Sequence, residues 1–291
     1  MNSIGVVTDS HSGILPEVAR KLGIMVLPMP FYFEKECFYE EVSITRAEFF
    51  DRLNAGQRVS TSQPSPEAVM ELWREGLKTY EKLLYIPMSS GLSGSYNTAK
   101  MLSQEEEFEG SVLVVDSGRI ATPLHRMVLD ALELVQEGYQ AEEILEILEA
   151  SRGKMAIFIA VETLEFLKKG GRITPATAAL GSLLNIKPIL KLDVGVLETF
   201  RKCRGMRKAR KEMLDAMKNE LETTFAEAYA RGEVHLLAAS SADEATTKEW
   251  VEEIKAYFPD MEVQCENLSL GISCHVGEGG LGIGCSCKPQ K

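Results

Sequence analysis

Long hydrophobic runs are missing from this chain of 291 residues. A helix that spans a bilayer needs about 20 mostly apolar residues, and apolar segments such as ITPATAALGSLLNI (173–186) are too short. The first residues, MNSIGVVTDS, contain no basic region and already include Asp9, so they do not resemble a secretory signal. We therefore expect a soluble, cytoplasmic protein without stable membrane insertion.

Positive charge is also in short supply. The chain has 32 Lys and Arg residues against 43 Asp and Glu residues, which gives a net charge of −11. Proteins that bind nucleic acid usually present a basic face, so this balance argues against a nucleic-acid partner. The exception is RKCRGMRKARK (201–211), which is either a solvated helix start or a docking surface for an acidic partner.

Cysteine is sparse, and four of the six cysteines follow residue 264. Cys285 and Cys287 have the spacing C-x-C, and Cys274 precedes His275. Structural zinc sites more often use two C-x-x-C pairs, so this pattern favours small buried thiols over a metal site. We expect no bound metal.

Several motifs of nucleotide-binding and catalytic sites are absent. The chain has no G-x-S-x-G nucleophile turn, no P-loop G-x-x-x-x-G-K-[ST], and no G-x-G-x-x-G after its first strand. The glycine-rich stretch GEGGLGIG (277–284) leads into a predicted strand rather than a helix, so it is a weak signal for a nucleotide loop. We expect no cofactor.

The order of the predicted elements indicates an α/β fold with two α/β domains. Strands, polar turns and helices alternate through residues 1–152, which is typical of a mostly parallel sheet with helices on both faces. Residues 153–291 include two antiparallel strands in 187–204 joined by a D-x-G turn, which predicts a mixed sheet. We also expect an apolar helix at 174–185, a long helix at about 205–230, and a ligand between the domains.

Neutral polar side chains are concentrated near a predicted helix start. The segment 83–99 has seventeen residues, four of them serines, and no charged side chain. Ser93 or Ser95 is placed to cap a helix that begins near Tyr96, and Gly94 lets backbone N–H groups face a ligand. The first N–H groups of a helix favour an anion.

The segment TSQPSP (61–66) predicts a second helix start of the same kind, with Thr61 and Ser62 in front of it. Neutral donors suit a carboxylate, whereas a phosphate more often recruits Lys or Arg. His275, in a glycine-rich stretch that we interpret as a loop, is able to donate to a carboxylate or to act as a base. The alternatives are two capped helices and a structural histidine, without a ligand.

Seven segments, in order along the chain, resemble the DegV family of bacterial fatty-acid-binding proteins: VTDS (7–10), TSQPSP (61–66), SSGLSGSYNTA (89–99), VDS (115–117), LKKGGRI (167–173), SLLNIKPIL (182–190) and HVGEGGLG (275–282). The chain departs from the family pattern near Glu278, where the family has proline. The resemblance implies a two-domain α/β fold that holds a long-chain acyl group between the domains, with MAIFIAV (155–161) and AALGSLLNI (178–186) lining a tunnel for it.

The resemblance also implies which residues bind the ligand. It assigns the carboxylate to Thr61, Ser93 and His275, with Ser62 and Gly94 as neighbours. It places three further residues at the site rim or at a partner contact: Arg172, Asn185 and Arg201.

Family members of the FakB type are not enzymes and have no catalytic residues. They present the fatty acid to a separate, ATP-dependent fatty acid kinase subunit, which makes an acyl phosphate for phospholipid synthesis. The resemblance thus implies two partners for this chain, a long-chain fatty acid and such a kinase.

An enzyme is the alternative function. A hydrolase or transferase that acts on an acyl substrate would show similar polar clusters at strand ends. Its nucleophile would be Ser93 or Ser62, with His275 as the base and Asp9 or Asp116 as the group that orients the base.

Overall fold

The computed structural model describes residues 4–175, 185–193 and 195–290. The elements of the first half, in chain order, are β1 (Ile4–Asp9), a 3-10 turn (Ser10–Ser12), α1 (Pro16–Leu22), β2 (Met25–Leu27), β3 (Phe31–Phe33), β4 (Glu36–Phe38), α2 (Arg46–Asn54), β5 (Val59–Thr61), α3 (Pro66–Leu77), β6 (Lys82–Ile86), α4 (Ser95–Leu102), β7 (Val112–Val114), α5 (Ala121–Gln136) and α6 (Ala141–Ala150). Those of the second half are β8 (Met155–Ala160), α7 (Glu165–Gly170), β9 (Ile186–Asp193), β10 (Val196–Arg204), α8 (Met206–Glu222), α9 (Ala226–Ala230), β11 (Val234–Ser240), α10 (Glu244–Tyr257), β12 (Val263–Asn267), α11 (Leu270–Val276) and β13 (Leu281–Cys287).

Four parallel strands form the first sheet, in the order β2–β1–β6–β7. β1, with the sequence IGVVTD, is buried along its whole length, as expected for a strand that is covered on both sides. Leu84 of β6 packs with residues of α5 and α6, whereas Leu83 and Tyr85 pack with α3 and α4 on the opposite face. The predicted parallel sheet with helices on both faces is therefore confirmed.

A small antiparallel sheet, β4–β3–β5, lies beside the first one. The segment IMVLPMPFYF is divided between the two sheets at its prolines, because proline has no N–H to donate to a ladder. Phe31 and Phe33 of β3 pack against Phe49 of α2, with ring centroids 5.4 and 5.3 Å away. Leu270 and Cys274 of α11 join this cluster, which holds α11 next to β5.

The second large sheet has six strands in the order β10–β9–β8–β13–β11–β12. The β11–β12 pair is parallel and the other four pairs are antiparallel, so the predicted mixed sheet is confirmed. Helices α8 and α10 cover one face, where Met213, Trp250 and Phe158 share a core. Side chains on the opposite face, such as Ile159 and Ala239, point towards the first half of the chain.

Buried hydrogen bonds connect the two halves. The guanidinium group of Arg119 donates across to Ser286 Oγ (2.5 Å) and, within its own half, to the carbonyl oxygen of Ser151 (2.8 Å), and burial lowers its pKa to about 10. Thr122 Oγ1 donates to the carbonyl oxygen of Ala238 over 3.2 Å. The two-domain α/β fold is confirmed, and the domain boundary between residues 152 and 153 stays a prediction.

The long helix predicted at about 205–230 is two helices, α8 and α9. Thr223 follows α8, and its Oγ1 donates to the carbonyl oxygen of Asn219 over 2.6 Å, a local bond that competes with helix continuation. The apolar helix predicted at 174–185 falls mainly on 176–184, outside the described residues. Among the helices that the structure describes, none is long and apolar enough to cross a membrane.

Candidate functional site

A cavity lies between the two halves and is lined by residues of both. Five of the predicted residues line this cavity: Thr61, Ser62, Ser93, Arg172 and His275. They come from four separate stretches, namely the end of β5, the loop before α4, the segment after α7, and α11. The fold therefore brings together polar groups that are far apart in the sequence.

Thr61 and His275 are in direct contact, with 2.9 Å between Thr61 Oγ1 and His275 Nε2. The other ring nitrogen, Nδ1, is buried and has no hydrogen-bond partner in the described part of the chain. It faces Gly170, where an added Cβ would come within 2.1 Å of Nδ1. We therefore assign the proton to Nε2, so that the N–H donates to Thr61 Oγ1 and the Thr61 hydroxyl is free to donate into the cavity.

His275 is neutral at pH 7, because burial, the charge of Arg172 and the neighbouring His11 lower its pKa to about 4. The loop predicted around His275 is wrong, since the residue lies in the last turn of α11. This helix is short and contains Gly271 and Ser273, both weak helix formers, so the sequence pattern does not indicate a helix here. Ser269 caps its N-terminus, with 3.4 Å between Ser269 Oγ and the Ile272 N–H.

Ser93 precedes the N-cap position of α4, which is occupied by Gly94. Ser93 Oγ accepts hydrogen bonds from the N–H (3.2 Å) and the hydroxyl (2.8 Å) of Ser95. Its own O–H is thus available to a ligand in the cavity that it lines. Gly94 adjoins the side chain of Gln63, another residue of the cavity wall.

The three residues predicted at the rim lie in different places. Arg172 is exposed and lines the cavity, and its Nη1 donates to a backbone carbonyl two residues earlier over 2.6 Å. Arg201 is exposed on β10 and ion-paired with Glu212. Asn185 precedes β9 with a φ of 63°, and its carbonyl oxygen accepts from the N–H of Gly205 over 3.0 Å. Within the described residues, neither Arg201 nor Asn185 lines the cavity.

A second cavity lies next to the first. The two are lined by six common apolar side chains: Leu92, Ile120, Leu167, Leu197, Ile272 and Val276. The deeper wall of the second cavity comes from the six-stranded sheet and includes Ile157, Leu192 and Ala239. A cavity with polar groups in its wall therefore adjoins an apolar one.

Of the two segments predicted to line a tunnel, one contributes side chains to the apolar cavity. Ile157 and Ile159, in MAIFIAV, line the apolar cavity, whereas Phe158 points to the core under α8. This alternation follows from the strand geometry of β8. The other segment, AALGSLLNI (178–186), lies mainly outside the described residues.

Two polar residues of the cavity wall were not predicted from the sequence, His11 and Gln63. His11 lies in the turn directly after β1, at the carboxyl end of a parallel strand. Ligands of open α/β sheets bind at such strand ends, so this position was the available signal. Gln63 lies within TSQPSP, between residues that were predicted.

Almost the whole chain matches one protein family. The family model described as "Uncharacterised protein, DegV family" matches residues 3–288. The chain belongs to the DegV family. Among curated relatives, a DegV domain-containing protein of Deinococcus radiodurans is 30% identical over 282 residues, which is 97% of this chain and 97% of the relative.

Solved DegV structures have the same fold. A fatty-acid-binding DegV family protein from Thermus thermophilus is 34% identical, with a TM-score of 0.86 over 98% of this chain and 99% of its own. DegV of Bacillus subtilis, also a fatty-acid-binding protein, is 28% identical, with a TM-score of 0.83 over 99% of this chain and 100% of its own.

The geometry of this DegV chain does not favour a catalytic triad. His275 contacts a threonine rather than a serine, and no carboxylate bonds its Nδ1 within the described residues. Asp9 instead accepts from the backbone N–H of Met88 (2.8 Å), and Asp116 is ion-paired with Arg152 (3.0 Å). The parts that a serine nucleophile and its base need are therefore not assembled here.

The clustered cysteines of this DegV protein are packed, reduced thiols. Cys274, Cys285 and Cys287 are buried, and burial raises the pKa of Cys285 to about 12. A thiol with so high a pKa is a poor metal ligand, because the thiolate is the binding form. The described residues contain no group of three His, Cys, Asp or Glu side chains that could hold a metal ion.

Proposed function

We propose that this DegV protein binds a long-chain fatty acid lengthwise, with the carboxylate at the polar end of the cavity and the acyl chain in the apolar interior. The observation that carries the proposal is that a cavity with polar groups and an apolar cavity adjoin and have six lining side chains in common. The Thermus thermophilus and Bacillus subtilis relatives, which bind fatty acids, support it.

The apolar interior supplies most of the binding energy in this proposal. Burial of an acyl chain gains about 0.8 kcal/mol per methylene, so a sixteen-carbon chain gains on the order of 10 kcal/mol before ordering costs. The deep wall is apolar, with side chains such as Ile157, Leu192 and Ala239, and it suits a hydrocarbon tail.

The head group is assigned to uncharged donors. In this proposal Thr61 and Ser93 donate to the carboxylate and His275 orients the Thr61 hydroxyl beside it, with Ser62 and Gly94 as neighbours. Charge-assisted hydrogen bonds from neutral O–H and N–H groups bind an anion without the desolvation cost of a buried cation.

The experiment is mass spectrometry of lipid extracted from protein purified from a bacterial host. We expect a fatty acid at close to one molecule per chain, and delipidated protein that takes up palmitate or oleate. Protein that is consistently empty and takes up neither would contradict the proposal.

We also propose that the protein is a non-enzymatic subunit in the cytoplasm that presents the bound carboxylate to a separate, ATP-dependent fatty acid kinase, which makes an acyl phosphate for phospholipid synthesis. Exposed Arg172 lies at the polar end of the cavity, and the basic side chains of Arg204, Arg207, Lys208 and Lys211 line a surface groove. Such positive groups suit an acidic partner surface.

Presentation to the kinase is tested by mixing palmitate-loaded protein with ATP and a bacterial fatty acid kinase subunit. Acyl phosphate formation is the measurement. We expect Arg207→Glu and Lys211→Glu to keep palmitate bound but to lose acyl phosphate formation. Lys78→Glu, at the exposed end of α3, is the matched charge reversal and should have no effect. Full activity of the Arg207 and Lys211 variants would contradict docking through these residues.

A further inference from the structure

His11 is a second imidazole at the polar end of the cavity. It is only 6% exposed, and it lines the same space as Thr61 and Ser93. Its ring lies against the backbone of Gly271 at the start of α11, where an added Cβ would come within 2.6 Å of His11 Nε2. The ring is therefore a fixed part of the cavity wall.

Asp9 lies beside the other ring nitrogen, Nδ1, which has no hydrogen-bond partner among the described residues. The Asp9 side chain is fully buried, and its Oδ1 lies 3.4 Å from His11 Nδ1. The same carboxylate accepts hydrogen bonds from the backbone N–H groups of His11 (2.9 Å) and Met88 (2.8 Å), which fix its position. A carboxylate next to Nδ1 favours the tautomer with the proton on Nδ1, so that a neutral ring has its lone pair on Nε2.

The two imidazoles of the cavity thus have opposite hydrogen-bonding roles. His275 carries its proton on Nε2 and acts with Thr61 as a donor pair. His11, with the Asp9 carboxylate beside its Nδ1, has an acceptor at Nε2 when it is neutral. An ionised carboxylate also has only acceptors, so it bonds to His11 only when a proton lies between them.

We propose that His11 is a further head-group residue and that the fatty acid binds together with one proton, shared between His11 Nε2 and the ligand carboxylate. This inference rests on the proposed function. A free fatty acid is ionised in water at neutral pH, so the proton comes from the solvent. It is placed on Nε2, an N–H···O bond to the carboxylate forms, and buried Asp9 balances the imidazolium charge.

Other titratable groups lie near His11. His275, on α11, has a pKa of about 4 and stays neutral. Glu40 accepts from the N–H of Leu270 at the start of α11, and burial raises its pKa to about 7. On α5, which packs against the turn, His125 Nδ1 lies 2.5 Å from Glu266 Oε1. Proton uptake by His11 must therefore be separated from uptake by Glu40.

The test is calorimetric titration of delipidated, full-length protein with palmitate at pH 7.5. Titration in two buffers that differ in protonation enthalpy gives the number of protons taken up for each palmitate bound. We expect the wild-type protein to take up about one proton for each palmitate bound. His11→Gln should take up almost none, whereas Glu40→Gln should take up as many as the wild type. Glutamine at position 11 still offers an amide N–H to the carboxylate, so binding remains measurable.

Two results would overturn the role of His11. One is palmitate binding by the wild-type protein without proton uptake, a measurement that does not depend on how a variant folds. The other is undiminished uptake in His11→Gln. A wild-type protein that binds no palmitate at all would overturn the proposed function and this inference together, which distinguishes the two failures.

Discussion

Thr61 Oγ1 lies 2.9 Å from His275 Nε2, and this contact connects β5 in the first half of the chain with α11 near its end. Both groups are neutral at pH 7, since the pKa of His275 is lowered to about 4. Arg172, a cation of the cavity wall, is exposed rather than buried. The contribution of Thr61 and Ser93 to carboxylate affinity should therefore consist of moderate hydrogen bonds from uncharged donors.

The first prediction removes two of these donors. Thr61→Val with Ser93→Ala should weaken palmitate binding by about 1–3 kcal/mol, because the buried carboxylate loses two hydroxyl partners. Displacement of a fluorescent fatty acid measures the change. Ser103→Ala with Thr223→Val removes two hydroxyls far from the cavity and should leave affinity unchanged. Equal affinities of the two double variants would refute the head-group assignment.

The second prediction concerns the contact between Gly170 and His275. A Cβ at position 170 would come within 2.1 Å of His275 Nδ1, so Gly170→Ala should displace the ring and break its hydrogen bond with Thr61. Loss of one such bond costs about 1 kcal/mol, or roughly fivefold in palmitate affinity. Gly153→Ala is the matched control, because nothing lies within 4 Å of a Cβ there. Similar affinity of both variants would show that the ring position does not matter.

The third prediction tests the apolar interior. Ala239 lines the deep cavity, and Ala239→Leu should fill the space of about three methylenes, which lowers palmitate affinity by about 2 kcal/mol. Decanoate, whose shorter chain does not reach this wall in the proposed orientation, should bind the variant and the wild type equally. The affinity ratio of the two acids is the measurement. An unchanged affinity ratio would show that the acyl chain of palmitate does not bind beside Ala239.

The fourth prediction is a pH dependence of stability caused by Glu40. Burial raises its pKa from 4.5 to about 7, although the Leu270 N–H and Arg46 act in the opposite direction. The folded protein therefore holds this proton more tightly than the unfolded chain does. The stabilisation is complete below about pH 4.5 and is lost as the pH rises through about 7.

Glu40→Gln imitates the protonated carboxyl and retains an acceptor for Leu270. Urea unfolding should give the variant and the wild type similar stability at pH 4.5, and a variant that is about 2 kcal/mol more stable at pH 8. Glu262→Gln, an exchange outside the ion pairs and hydrogen bonds described above, should show no such pH-dependent difference. A constant difference between Glu40→Gln and the wild type across this pH range would rule out the raised pKa.

The sequence predicts the parts of the fold that depend on local patterns. The continuous apolar run IGVV in β1 predicts a strand that is buried on both faces. Ser65 followed by Pro66 predicts the start of α3. The turn through Gly195, with a φ of 86°, joins two antiparallel strands as the D-x-G motif indicates. These signals lie within a few residues of the structure that they specify.

Features that depend on tertiary contact were missed. α11 consists of seven residues with little helix propensity, and it is held by packing of Leu270 and Cys274 on the phenylalanine cluster. His11 appears unremarkable in the sequence, since its importance comes from Asp9 on one side and the cavity on the other. No local sequence pattern shows that residues far apart in the chain come together in the fold.

The orientation of the bound chain tests the central claim most directly. A crystal structure with a palmitate analogue brominated at its terminal carbon locates both ends of the ligand, because bromine gives a distinct anomalous signal. The account predicts bromine beside Ile157 and Leu192, with the carboxylate within hydrogen-bonding distance of Thr61 or Ser93. Bromine at the Thr61 end, or a ligand bound only on the surface, would contradict it.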